Sequence, residues 1–259
     1  MNSLLKEERQ RLILEALQEN KKVTVQELSQ RFGTSEVTIR RDLQELASSG
    51  MLRRAHRGAI LVTPAPPEPP VMHRMTLEQH AKDSIARCAA ALVCDGDAIF
   101  IGSGSTSAYL ARHLISRKNL TVVTNALNIA ADLAVASDNI TTVVTGGVVR
   151  APELSILGHI TELTMEEMRV SRVFMGMQAI SIEGGLTTDH LPEVATTRKI
   201  IDMTPELTVL ADHSKLNRMA AAFIYPITRM TTLVTDSGAD AQFLARLEDL
   251  DIHVLIAED

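Results

Sequence analysis

At 259 residues with 45% hydrophobic side chains, the chain is long enough for two domains, each with its own core. It holds no run of eighteen apolar residues, and its first residues, MNSLLKEERQR, are charged where a secretory signal would be apolar; this argues against a membrane span and for the cytoplasm. The net charge of −6 argues against a generic polyanion binder, yet residues 1–62 carry eleven Lys or Arg against eight Asp or Glu while residues 63–259 carry fifteen against twenty-four, a basic head on an acidic body that suggests a local surface for a nucleic-acid backbone.

Residues 6–19 predict a first helix with Leu12, Ile13, Ala16 and Leu17 on a common side. Lys21 and Lys22 interrupt the pattern. Thr24-Val25-Gln26-Glu27 is a capping box, in which the Thr24 hydroxyl and the Glu27 carboxylate each accept from the other residue's backbone N–H. A second helix of roughly two turns follows and stops at Gly33, the residue best suited to a left-handed C-terminal cap. Ser35 then caps a third helix, with Glu36 at its positive end. On that helix Ile39, Leu43 and Leu46 recur at i, i+4 and i+7, while Val37, Arg40, Arg41 and Gln44 turn to the opposite side.

Two helices joined across residues 32–34 make a helix-turn-helix, whose second helix enters the DNA major groove. The following MLRRAHRGAILV (51–62) reads as two short strands about a turn at 55–58, with Arg53, Arg54, His56 and Arg57 clustered around it. A winged helix-turn-helix is the simplest account. A helical hairpin with a solvated charged face would also show an arginine pair, but the capping box, short turn, polar face and basic hairpin occur in the order a DNA-binding domain requires. Expected DNA contacts are therefore Ser35, Glu36, Val37, Thr38, Arg40, Arg41 and Gln44 on the helix, with Arg53, Arg54, His56 and Arg57 on the wing.

SEVTIRRDLQELASSGMLRRAHRGA (35–59) resembles the N-terminal domain of DeoR/GlpR-type bacterial transcriptional regulators, with their Ser/Thr-x-x-Thr-Ile-Arg-Arg-Asp-Leu signature and glycine-containing wing. The resemblance implies promoter binding as an oligomer, dimer or tetramer, usually in repression of a sugar catabolic operon.

Residues 63–71, TPAPPEPPV, hold five of the nine prolines and predict an extended, semi-rigid spacer. The expected organisation is a winged helix-turn-helix over 1–62, a linker over 63–72 and an effector domain over 73–259. In the last, AIFI (98–101), LTVVT (120–124), TTVVT (141–145), RVFMG (172–176), LTVLA (207–211), TTLVT (231–235) and IHVLI (252–256) are strand candidates, with helix-like SAYLARHLIS (107–116) and LNIAADLAVA (127–136) between them. Near-continuous apolar strands with helical connections indicate an α/β domain with a mostly parallel sheet covered on both faces.

The strand ends carry the chemistry, because ligands of open α/β sheets sit outside the carboxyl ends of the strands. AIFI runs into Gly102-Ser103-Gly104-Ser105-Thr106-Ser107, LTVVT into Asn125, TTVVT into Gly146-Gly147, and LTVLA into Asp212-His213-Ser214-Lys215. Glycines, hydroxyls and backbone N–H groups at a helix start suit a phosphate monoester. No lysine completes a P-loop, and a dinucleotide fingerprint would need a third glycine at Ser107 and an acid near Thr124. Taken alone, GSGSTS is equally consistent with a tight strand-to-helix turn, and Asp212 with Lys215 equally consistent with a surface ion pair. Gly184-Gly185-Leu186-Thr187-Thr188 could by itself be any hairpin. The cysteines, Cys88 and Cys94, fit no zinc or CxxC pattern, and no metal or cofactor is expected.

Gly104-Ser105-Thr106, Thr124-Asn125, Gly146-Gly147, Gly185-Leu186-Thr187-Thr188 and Ala211-Asp212-x-Ser214-Lys215 resemble, in order, motifs of the sugar-phosphate-sensing domain of the same family, which looks like the ribose-5-phosphate isomerase fold. The resemblance implies an effector site that includes Gly104, Ser105, Thr106, Ser107, Thr124, Asn125, Gly146, Gly147, Thr187, Thr188, Asp212 and Lys215. The chain departs from the family pattern at Gly102, where an aspartate is common, and at Gly176-Met177-Gln178-Ala179-Ile180, where Gly-Ala-Asp-Gly-Ile is frequent. It keeps Glu193 and Arg198 but has Ala195 and Thr197 where an acid and a lysine are usual. The leading expectation is a DNA-binding regulator answering to a phosphorylated sugar. The alternatives are a sugar-phosphate isomerase with an accessory DNA-binding domain and a DNA-binding protein whose second half only oligomerises.

Overall fold

The computed structural model describes residues 5–20, 22–48, 52–55, 57–60, 63–64 and 68–258, and the chain divides after Pro64 into two compact units. No helix among the described residues is long and apolar enough to cross a membrane.

In the first unit, α1 (Lys6–Asn20), α2 (Val25–Phe32) and α3 (Glu36–Ser48) enclose one core. Ile13 and Leu17 of α1 meet Val25 and Leu28 of α2 and Ile39, Leu43 and Leu46 of α3, each helix burying its apolar stripe against the other two. The capping box forms: Thr24 Oγ1 accepts from the Glu27 N–H at 3.1 Å and the Glu27 carboxylate from the Thr24 N–H at 2.9 Å. These bonds hold the Glu27 carboxyl below its usual range. Gly33 closes α2 at φ 61°, and the Ser35 hydroxyl accepts from the Thr38 N–H at 3.2 Å. One strand is new. Lys22 belongs to β1 (Lys22–Thr24), which pairs antiparallel with β3 (Gly58–Ile60); β3 in turn pairs with β2 (Arg53–Ala55). Three residues give no readable alternation, so only the pairing with a distant segment reveals the strand. A side chain at position 58 would put its Cβ 1.9 Å from the Val23 carbonyl oxygen, so this junction requires glycine.

The second unit is built on seven parallel strands. Their order across the sheet is 253–257, 232–236, 207–210, 172–175, 98–101, 120–124, 140–144. Alternation sorts the side chains. Ile99, Ile101 and Phe174 face a layer made by the helices Gln79–Ala90, Ser105–His113 and Leu127–Ala136. Phe100, Val173 and Met175 face the layer of His159–Glu167, Val194–Ile201 and Ala241–Glu248. The first strand, Ala98–Ile101, has the second on one side and the fourth, Arg172–Met175, on the other. That reversal is the switch point where open α/β sheets form their crevice. A small antiparallel sheet of Ala179–Ser181, Gly185–Thr188 and Ala222–Tyr225 and the hairpin Val148–Arg150 with Ser155–Leu157 complete the unit. Residues 68–72, expected within an extended spacer, are part of this unit. Val71 is fully buried, and its N–H donates to the Pro152 carbonyl at 2.8 Å.

Candidate functional sites

On α3 the predicted two faces separate. Ile39, Leu43 and Leu46 are buried, while Glu36, Val37, Arg40, Arg41 and Gln44 are exposed, with Ser35 before them and a half-buried Thr38 among them. Val37 is 73% exposed, a high value for an apolar side chain. Arg40 pairs with the exposed Glu36 of the same helix at 2.8 Å, and Arg41 with the half-buried Glu45 at 3.5 Å. Such pairs are worth little and are readily exchanged for phosphate. The wing turn is tied to the start of α2 by the Val25 N–H, which donates to the Arg57 carbonyl at 2.8 Å, and Arg57 is exposed. Arg53 and Arg54 lie on β2, their side chains outside the described part of the structure, and His56 lies outside the described residues. The third signature residue behaves differently. Asp42 points inward, 2% exposed, and receives the buried Arg9 guanidinium of α1 in a two-point ion pair.

The second unit has a cleft at its switch point. Its walls are Ser103, Gly104, Ser105 and Thr106 after the first strand; Met175 to Gln178 after the fourth; and Leu210, Ala211, Asp212 and Lys215 after the strand Leu207–Leu210. Thr188, Glu193, Thr197, Arg74, Glu68, Arg150 and Glu153 close it. Gly104 sits at φ 134° ahead of the helix Ser105–His113, whose first N–H groups have no acceptor within the helix. The cations Arg74, Arg150 and Lys215 converge here with carboxylates between them. Arg150 pairs with Glu193 at 2.7 Å, Arg74 with Glu153 and, at 3.1 Å, with Glu68, and Lys215 with Glu68. Burial pushes the Glu193 carboxyl up to about 7 against the opposing pull of Arg150, and raises that of Glu153. The buried Arg74 Nε has no hydrogen-bond acceptor among the described residues. A pocket with helix N–H groups, hydroxyls and three cations can hold an anion carrying hydroxyl groups.

Of the residues singled out in the sequence, Gly104, Ser105, Thr106, Thr188, Asp212 and Lys215 come together in this cleft. Asp212 faces it, but its carboxylate is engaged by the Ser214 N–H at 2.9 Å and by the Ser214 hydroxyl, capping the turn that presents Lys215. The remaining ones stand behind the wall. Thr124 donates to the Ile101 carbonyl and accepts from the Ala126 N–H. Asn125 accepts from the Ser103 N–H at 3.2 Å and donates to the Ile156 carbonyl, which fixes the glycine-serine loop. The Gly146 carbonyl accepts from Thr161, and Gly147 turns at φ 136°. Thr187 bridges Ala179 and Ala220, and the fully buried Ser107 hydroxyl has no partner among the described residues.

The DeoR-like helix-turn-helix domain matches residues 9–65, and the DeoR C-terminal sensor domain matches residues 77–237. The chain belongs to the DeoR family. Similar members include the HTH-type transcriptional regulator GolR of Listeria innocua, 32% identical over 97% of this chain and 98% of that protein. The glycerol-3-phosphate regulon repressor of Escherichia coli K12 is 31% identical over 93% and 95%, and the transcriptional repressor AccR of Agrobacterium fabrum 29% over 90% of each. Among solved structures, ribose 5-phosphate isomerase A of Methanocaldococcus jannaschii is 22% identical over 53% of this chain and 54% of its own, with a TM-score of 0.40.

The departures of this DeoR-family chain have local causes. At position 102 a Cβ would stand 2.8 Å from that of Met175, so the neighbouring strand leaves no room for an aspartate. Gln178 uses its amide as a clamp, accepting from the Asp189 N–H at 2.8 Å and donating to the Asp189 carboxylate at 2.6 Å. Arg198 caps the edge strand Ala222–Tyr225 by donating to the Ile224 and Phe223 carbonyls at 3.0 Å each. Thr197 lines the cleft where a lysine is usual, leaving Arg74, Arg150 and Lys215 as its cations. Arg74, Arg150, Glu153 and Glu68 are separated by up to 85 positions, and no periodicity or motif in the sequence signals them.

Proposed function

We propose that this DeoR-family regulator represses a carbohydrate-utilisation operon from the cytoplasm, as a dimer or tetramer, and that a phosphorylated sugar bound in the switch-point cleft changes its operator affinity. The observation that carries the effector half is the convergence of Lys215, Arg74 and Arg150 on the N-terminus of the helix Ser105–His113, where helix dipole and side-chain charge both favour an anion. The DNA half rests on the exposed Arg40, Arg41 and Gln44 face above an apolar core. Two such helices on a two-fold axis would read paired half-sites. The names of the relatives support repression, glycerol-3-phosphate regulon repressor among them.

An isomerase reading finds less support. Asp212 accepts from the Ser214 N–H and hydroxyl as a turn cap, and Gln178 offers a non-basic amide, so neither is poised as a general base. A thermal-shift screen of the full chain against phosphorylated sugars and sugar acids, with the unphosphorylated forms as controls, tests the proposal. A phosphosugar should raise the melting temperature and shift operator affinity, and Lys215→Ala should lose both responses while keeping DNA binding. No stabilisation by any phosphorylated compound would sink it.

A further inference from the structure

Each cation lining the cleft already holds a carboxylate, but the carboxylates come from different kinds of backbone. Glu153 lies in the connection of the hairpin Val148–Arg150 to Ser155–Leu157, and Glu193 in a short helical turn before Val194–Ile201. Glu68 lies four positions beyond the last residue of the first unit, on a stretch without regular secondary structure, followed by Pro69 and Pro70. It crosses into the cleft to hold Lys215 and Arg74 together. Residues 68–70, just ahead of the anchored Val71, thus carry an anion into the cleft.

We propose that the Glu68 carboxylate is a surrogate for the effector's anionic group, so that a phosphorylated ligand reaches Lys215 and Arg74 only by expelling Glu68 together with the adjoining Pro69 and Pro70. This rests on the effector reading of the same cleft. Lysine and arginine donate the same charge-assisted hydrogen bonds to a carboxylate and to a phosphate, and a phosphate offers more charge and a third oxygen. Both cannot share the two cations, because Glu153, Glu193 and Asp212 already crowd the cleft. Burial and neighbouring carboxylates have already driven Glu193 and Glu153 toward their neutral forms. A further anion at Lys215 and Arg74 therefore displaces Glu68, the carboxylate that bridges those two cations. Exclusion of this kind gives the ligand its differential affinity for two states of the chain, without which binding shifts nothing. The state it removes is the one in which Glu68 occupies the cleft, four positions after the last residue of the first unit.

Occlusion by an internal carboxylate weakens apparent affinity by the fraction of time the site is free, so a cleft occupied by Glu68 about nine-tenths of the time costs about tenfold. Inorganic phosphate titrated calorimetrically into the full chain, at ionic strength matched with chloride, should bind the wild type. Glu68→Gln should bind it about tenfold tighter or more, Glu68→Asp to an intermediate degree, and Lys215→Ala not at all. A thiol at Pro69→Cys, in a Cys88→Ser, Cys94→Ser background, should alkylate faster when phosphate is present, a response that loss of a negative charge alone would not produce. Thermal melts of the Glu68 variants establish that they are folded. Phosphate binding that requires Lys215 but is unchanged or weakened by Glu68→Gln, or an alkylation rate indifferent to phosphate, overturns the surrogate and leaves the effector site standing. Absence of phosphate binding in both wild type and Glu68→Gln overturns the effector site itself.

Discussion

Asp42→Ala should strongly destabilise the DNA-binding unit and leave the sensor intact. In the native unit the Arg9 guanidinium grips Asp42 through Nε and, at 3.1 Å, through a second nitrogen, and the two side chains are 11% and 3% exposed. Truncating the acid strands a guanidinium in the interior, a loss that typically costs about 3–5 kcal/mol. A domain of this size has a stability near the low end of the usual ~5–15 kcal/mol, so the loss is a large fraction of the whole. At about 4–8 °C per kcal/mol for small domains, the transition of the first unit should fall by at least ~12 °C. Scanning calorimetry of the full chain should show that transition move while the sensor transition stays in place. Arg9→Met with Asp42→Leu should recover most of the loss, since an apolar pair of similar volume removes both charges. A normal melting profile for Asp42→Ala combined with lost DNA binding would refute the reasoning and place Asp42 on the groove-facing side.

Arg41→Ala, at a side chain 81% exposed, should leave both melting transitions within about 0.5 kcal/mol but weaken operator binding and lower its salt slope by about one, as read by fluorescence anisotropy over a salt series. Gly58→Ala drives a Cβ into the Val23 carbonyl; it should lower the first transition and loosen the wing, seen as faster amide exchange at Val25, whose N–H donates to the Arg57 carbonyl. Glu193 binds its proton more tightly folded, at about 7, than unfolded, at 4.5. Its contribution is complete below pH 4.5 and lost as pH rises through 7, by up to ~3 kcal/mol. Denaturation of the wild type across that window should show the loss, and Glu193→Gln should flatten it; an unchanged pH profile in the variant would assign the slope elsewhere.

The sequence determined whatever depends on neighbours along the chain. The capping box at Thr24 and Glu27, the left-handed Gly33, the two faces of α3 and the seven strands of the parallel sheet are local signals, because helix caps and apolar periodicity act over a few residues. The glycine-serine loop was legible for the same reason, a strand followed at once by small residues and a helix start. Tertiary structure decided which charged groups are exposed and which are held. Asp42 reads as part of an Arg-Arg-Asp surface run, yet its position three residues after Ile39 turns it to α1, where Arg9 waits. Asn125 and Thr124 sit at a strand end as a ligand-binding pair would, but the sheet's packing spends their hydrogen bonds on the neighbouring loop. Glu68, Arg74, Arg150 and Glu153 have no motif at all. They meet because the strand order reverses between Ala98–Ile101 and Arg172–Met175 and opens a crevice there. Ion pairing across such a crevice depends on distance in space, to which spacing in sequence is blind.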